Sequence, residues 1–186
     1  MLCVPDPTML LSREDYLSIA TRLKDKKDVF VYMLGQETLI DKNALLDFIQ
    51  ERAEILYANA NIDSKNACLY DVSTDFYPTP SQWIGAIADS RFMVTNSFHG
   101  CVFAIIMNTP FLVLKLGGSA GSMNTRFETL LEIFNLQDCL CASLEEFMDK
   151  FLTQIEIDWQ EVNARLYLWS QVGKDYLAKN VGIYAI

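Results

Sequence analysis

The chain has 186 residues, enough for one domain with a sizeable core. Apolar side chains make up 51%, which excludes wholesale disorder. The net charge is −9 and no basic cluster exceeds Lys24-Asp25-Lys26-Lys27, which excludes the positive footprint that a nucleic-acid backbone needs.

Residues 1–12 read as a lead-in, because Pro5 and Pro7 break helix and central strand alike. Ser12 then caps a helix predicted to about Leu23, with Asp15 in a capping-box position. The run from Asp28 to Leu34 is a near-continuous apolar strand of the kind that parallel sheets bury on both faces, and Gly35 ends it. Helical spacing of Leu45, Leu46, Phe48, Ile49, Ile55 and Leu56 predicts a helix over 42–57, and 67–72 is the next predicted strand. After a proline-bearing loop, Thr79 caps a short helix with Pro80 in its first turn. A strand over 91–95, a helix over 99–108 and a strand over 110–116 follow. A glycine-rich loop spans 117–122, a helix 124–135 and a short strand 139–141. Ser143 caps a helix to about Ile155, and an amphipathic helix over 159–179 carries most of the remaining aromatics. Alternating strands and helices of this kind predict an α/β fold with a doubly wound, mostly parallel sheet.

Cys3, Cys68, Cys101, Cys139 and Cys141 form an odd set without a CxxC pair, and two of them lie inside apolar runs. They read as buried thiols in a reducing compartment, with the cytoplasm as the default. With one histidine and no ligand spacing, no metal site is predicted. No apolar run approaches the ~20 residues of a membrane-spanning helix, and the start lacks the pattern of a signal peptide.

The single histidine, His99, sits in Thr95-Asn96-Ser97-Phe98-His99-Gly100, between an apolar strand and an apolar helix. In open α/β sheets ligands bind at such turns, beside N–H groups that favour anions. One reading makes His99 a helix-start residue satisfied by backbone; the other makes it a general acid or base, with Gly100 leaving room for a ligand. Ser97 and Asn96 read either as helix caps or as polar contacts to an anion. A serine nucleophile fits poorly, since no GxSxG elbow surrounds Ser97. The 117–122 loop with Arg126 reads either as a surface loop or as a phosphate-accepting nest with a bidentate clamp. For Phe76, Tyr77 and Trp83 the readings are core packing or the lining of a sugar or pyruvyl site.

The stretch from Tyr77 through Pro-Thr-Pro-Ser-Gln-Trp and Thr-Asn-Ser-Phe-His-Gly to Phe111 resembles the polysaccharide pyruvyl transferase family. The later Asn124-to-Leu136 stretch and the opening Asp6-Pro-Thr-Met-Leu-Leu resemble it too. The resemblance spans nearly the whole chain, but only the C-terminal half of a family member. It implies a Rossmann-like half of a GT-B-type fold, organised as a 1–12 lead-in, a 13–158 donor-binding domain and a 159–186 C-terminal helix packing on or crossing from it. It implies transfer of an enolpyruvyl unit from phosphoenolpyruvate to a sugar hydroxyl, giving a pyruvate ketal and phosphate, with no cofactor.

Under this resemblance His99 matches the family's histidine and Arg126 its downstream arginine, with Asn96, Ser97 and Gly100 completing an anion site. The implied partners are phosphoenolpyruvate, a glycan or lipid-linked acceptor at the inner face of the membrane, and an N-terminal domain. Without that domain the chain is expected to be inactive, and the face meant for it is a candidate for self-association. Asn96 departs from the family by standing where an acid is common; Cys101 and Ala104 stand where small hydroxyl residues are common. Two alternatives are the nucleotide-sugar half of a GT-B glycosyltransferase and a non-catalytic binding module.

Overall fold

Five short strands build one sheet: β1 (Val29–Tyr32), β2 (Ile55–Ala58), β3 (Phe92–Thr95), β4 (Phe111–Leu114) and β5 (Leu140–Cys141). The computed structural model describes residues 3–24, 27–35, 38–58 and 76–181. All pairings are parallel, in the order β2-β1-β3-β4-β5. The order reverses between β1 and β3, so the chain ends of these two strands flank a topological switch point.

Side chains alternate across the sheet as the two-residue strand period demands. Phe30, Met93, Phe111 and Val113 enter one core, while Val29, Val31, Val94, Leu112 and Leu114 enter the other. The second core is covered by α2 (Lys42–Gln50) and α6 (Leu144–Thr153), through Leu45, Leu46, Ile49 and Phe147. The first is covered by α1 (Arg13–Ile19), α3 (Pro80–Asp89), α4 (Phe98–Met107), α5 (Asn124–Phe134) and α7 (Trp159–Val181). Helices on both faces make this a doubly wound, Rossmann-like α/β domain. Helix α4 is buried from Gly100 to Met107, which accounts for its apolar character all round.

Two expected elements differ. The helix predicted over 42–57 ends at Gln50, and Ile55–Ala58 is a strand paired with β1 from Val29 to Tyr32. A short apolar run such as Ile55-Leu56-Tyr57 fits a strand as well as a helix, and the open β1 edge decides. The strand predicted over 67–72 lies outside the described residues. Helix α1 stops at Ile19 instead of Leu23, because the next residues are stapled to α3. Thr21 N–H donates to the Ser81 carbonyl at 2.9 Å, Arg22 pairs with Asp89, and any Cβ at Gly85 would run into the Thr21 carbonyl.

The lead-in is structured. Asp6 caps a 3₁₀ turn at Pro7–Leu10, accepting from Thr8 N–H at 3.0 Å and Thr8 Oγ1 at 2.7 Å. Met9 is buried, and Tyr16 O–H donates to the Thr8 carbonyl at 2.8 Å. The 117–122 loop is likewise organised, as a 3₁₀ helix at Gly118–Met123.

Candidate functional site

The site begins with how the end of β3 is fixed to the end of β1. Thr95, fully buried, donates through Oγ1 to the Tyr32 carbonyl at 2.7 Å and accepts from Ser97 N–H at 3.0 Å. Asn96, 3% exposed, accepts from Leu34 N–H at 2.6 Å and donates to the Leu34 carbonyl at 2.8 Å. Ser97 then caps α4, its Oγ accepting from Gly100 N–H at 3.3 Å. These bonds place the first turn of α4 over the switch point.

They also decide which groups remain available. The N–H groups of Ser97 and Gly100, expected to face an anion, are already spent on Thr95 and Ser97. Among the described residues, the N–H groups of Phe98 and His99 are left without a protein partner, pointing out of the positive end of α4. The carboxamide of Asn96 is committed to Leu34. Gly100 offers no room for a ligand: a Cβ there would strike Thr95 Oγ1 and crowd Met93, so the glycine serves packing.

His99 projects outward with its side chain 57% exposed. Its Nε2 lies 3.5 Å from Oδ2 of Asp6, whose side chain is only 17% exposed. Asp6 lies in the opening stretch that resembles the family, and nothing in the sequence pairs its side chain with His99. The signal was a lone carboxylate between two prolines, which alone says only that a turn begins there. The carboxylate is held by Thr8, so it can orient the imidazole.

Arg126, on the first turn of α5, lies with Cζ 4.1 Å from the centre of the Phe98 ring. Phe98 in turn meets His99 edge-on, ring centres 5.9 Å apart. The guanidinium is thus parked on an aromatic face that orients it without using its N–H donors. Asn124 fixes the start of α5 by exchanging two hydrogen bonds of 2.9 Å with the N–H and carbonyl of Leu116.

A pocket of about 490 Å³ collects Asn96, Ser97, His99 and Arg126, with Leu34, Leu116 and Phe127 among its apolar walls. A second pocket, of about 570 Å³, lies on the other side of Ser97 and His99 and is rich in rings: Tyr32, Tyr77, Trp83 and Phe103. Trp83 is held edge-on between Tyr32 at 5.3 Å and Phe103 at 5.0 Å. Burial pushes the Tyr32 phenol above its ordinary value, so it stays an O–H donor. Phe76 and Trp83 both pack against the core. Among the described residues, no group of three His, Cys, Asp or Glu side chains could hold a metal ion, and no helix is long and apolar enough to cross a membrane.

The doubly wound domain thus gathers a histidine, an arginine and the free N–H groups of a helix start at its switch point. The chain belongs to the polysaccharide pyruvyl transferase family, whose model matches residues 2–117. That span contains Asp6, β1 to β4 and the His99 turn, and stops short of Arg126. No curated protein and no solved structure matches the chain significantly.

Proposed function

We propose that this domain binds phosphoenolpyruvate in the Arg126 pocket and that His99 moves a proton as the enolpyruvyl unit passes to a sugar. The observation that carries this reading is the convergence of His99 and Arg126 on one pocket, in a chain of this family. The donor carries a phosphate and a carboxylate. The Arg126 fork suits either group, and the N–H groups of Phe98 and His99 suit the other.

The chemistry has one proton-transfer need at each end. The methylene carbon of the enol gains a proton and becomes a methyl group. A sugar hydroxyl forms a C–O bond to the central carbon and loses its proton. The C–O bond to phosphate breaks, and a second hydroxyl of the same sugar closes the ketal, losing its proton in turn. Two hydroxyl protons leave; one is matched by the new methyl proton and the other by the released hydrogen phosphate. His99, oriented by Asp6, serves as acid to the enol carbon or as base to a hydroxyl.

In this reading the domain is the donor half of a two-domain, GT-B-like enzyme, with both pockets opening toward the second domain. The acceptor is a glycan or lipid-linked sugar. The free, buried thiols of Cys101, Cys139 and Cys141 support a reducing, cytoplasmic setting.

The test is phosphoenolpyruvate binding by calorimetry on the 186-residue chain, followed by phosphate release once an acceptor and the second domain are supplied. Arg126→Ala should weaken binding, whereas His99→Ala should bind and not turn over. A wild-type chain that does not bind phosphoenolpyruvate, or a His99→Ala enzyme with full turnover, would overturn the reading.

A further inference from the structure

We infer that the ring-lined pocket on the far side of His99 is an acceptor subsite that takes the apolar face of a pyranose. This rests on the donor reading above, which assigns the neighbouring pocket to phosphoenolpyruvate.

The two pockets share Leu34, Ser97 and His99, so the imidazole stands in a common wall. Their chemistry differs. Among the described residues, Arg126 lines the first, while His99 is the one ionisable group other than tyrosine lining the second. A multiply charged donor meets no Arg or Lys among the described residues of the second pocket, and desolvating it there would be costly. A neutral ligand with one apolar face and a rim of hydroxyls fits instead. The polarised C–H groups of a pyranose meet the negative faces of aromatic rings, and its hydroxyls meet the Tyr32 phenol, Ser97 and His99.

Tyr32, Trp83 and Phe103 hold one another before any ligand arrives. Trp83 is held between Tyr32 and Phe103, and Pro78 and Pro80 stiffen the chain on either side of Thr79. Thr79 closes a capping box with Gln82, accepting from Gln82 N–H while its own N–H donates to Gln82 Oε1 at 2.9 Å. A rigid platform loses little entropy on binding. Tyr77, 49% exposed, is the ring a sugar reaches most readily. A sugar stacked there presents a hydroxyl to His99 at the margin of the donor pocket, where the imidazole can take its proton as the oxygen meets the donor's central carbon.

The experiment is saturation-transfer NMR on the full chain with methyl β-D-galactopyranoside and methyl β-D-glucopyranoside, alongside calorimetry with phosphoenolpyruvate. Wild-type protein should saturate the ring protons of the sugar's apolar face. Tyr77→Ala, which removes an exposed ring and leaves the core intact, should weaken glycoside binding about tenfold and leave phosphoenolpyruvate binding unchanged. Tyr32→Phe should weaken the glycoside by a smaller factor, and Arg126→Ala should affect phosphoenolpyruvate alone. No glycoside binding by wild type, or binding indifferent to Tyr77→Ala, overturns the inference. Glycoside binding that depends on Tyr77 in a chain that does not bind phosphoenolpyruvate upholds the sugar subsite and removes the donor reading.

Discussion

Asn96 holds Leu34 by both of its backbone groups, taking its N–H at 2.6 Å and giving an N–H to its carbonyl at 2.8 Å. Asn124 treats Leu116 in the same way, with two bonds of 2.9 Å. Leu34 follows β1 and Leu116 follows β4, and both line the Arg126 pocket. The strand ends that bear the site are therefore set by two carboxamides. An amide offers a donor and an acceptor in one plane; a carboxylate offers only acceptors.

Asn96→Asp should cost about 1–3 kcal/mol at neutral pH, the penalty for setting a buried carboxylate oxygen against the Leu34 carbonyl in place of an N–H donor. The new carboxyl, desolvated and facing a carbonyl oxygen, takes a folded pKa above its unfolded value. The penalty is then absent below the unfolded pKa, grows as pH rises, and is complete above the folded one. Urea midpoints of variant and wild type across acid to neutral pH check this. A penalty that does not change with pH counts against it. The fold itself should survive, since each fully buried Leu, Ile or Phe side chain of the two cores contributes about 1.5–3 kcal/mol by transfer alone.

His99→Ala should lower phosphate release from phosphoenolpyruvate by about a hundredfold or more, the usual weight of a general acid or base. Asp6→Asn keeps an oxygen for Thr8 and removes the charge facing Nε2, so we expect a loss of about tenfold in turnover with donor affinity unchanged. Steady-state rates together with calorimetric affinities separate the two effects. Equal turnover in Asp6→Asn and wild type would reduce the carboxylate to a cap for the Pro7–Leu10 turn.

Arg126→Ala should weaken phosphoenolpyruvate binding by about 10- to 100-fold, the range for losing a charge-assisted contact. Phe98→Leu leaves the charge and removes the ring on which the guanidinium rests, so about threefold is expected. Arg126→Lys should fall near the alanine variant, because an ammonium has neither the fork nor the stacking plane. Titration calorimetry on the three variants gives the order directly.

The thiols should divide sharply in reactivity. Burial pushes Cys139 and Cys141 up to about 12, and burial raises Cys101 well above its ordinary value. Cys3 is exposed. At neutral pH in native protein, iodoacetamide should modify Cys3 and spare Cys101, Cys139 and Cys141 until denaturant is added. Peptide mapping by mass spectrometry reads each site separately, and native labelling of Cys139 would contradict the assigned burial.

What could be read from sequence follows the range of the interactions involved. Helix α4 and strand β1 were legible because uninterrupted apolar runs meet polar or glycine boundaries on the spot. The end of α1 was not, because the contact of Thr21 on Gly85 joins distant parts of the chain. Strand β2 was hidden behind apolar residues that continue the spacing of α2. At the site, the His99 turn announced itself locally, with Ser97 as its cap. In sequence Gly100 suggests an opening for a ligand, and only the position of Thr95 shows it to be filled space. Asp6 could be placed beside His99 only once the lead-in was seen to fold back over α4.

That fold-back has a price in cooperativity. Gly173 of α7 lies so close to the lead-in that a Cβ there would stand 2.5 Å from both Leu10 Cδ2 and Pro5 Cγ. The carboxylate beside His99 is therefore held in place by a helix more than a hundred and fifty positions downstream. Partial undocking of α7 would release Asp6 while the sheet stays intact, a local opening below the global unfolding free energy. The domain can thus be folded yet chemically unready, and hydrogen exchange in the Pro7–Leu10 turn should rise in step with that in α7, ahead of the strands.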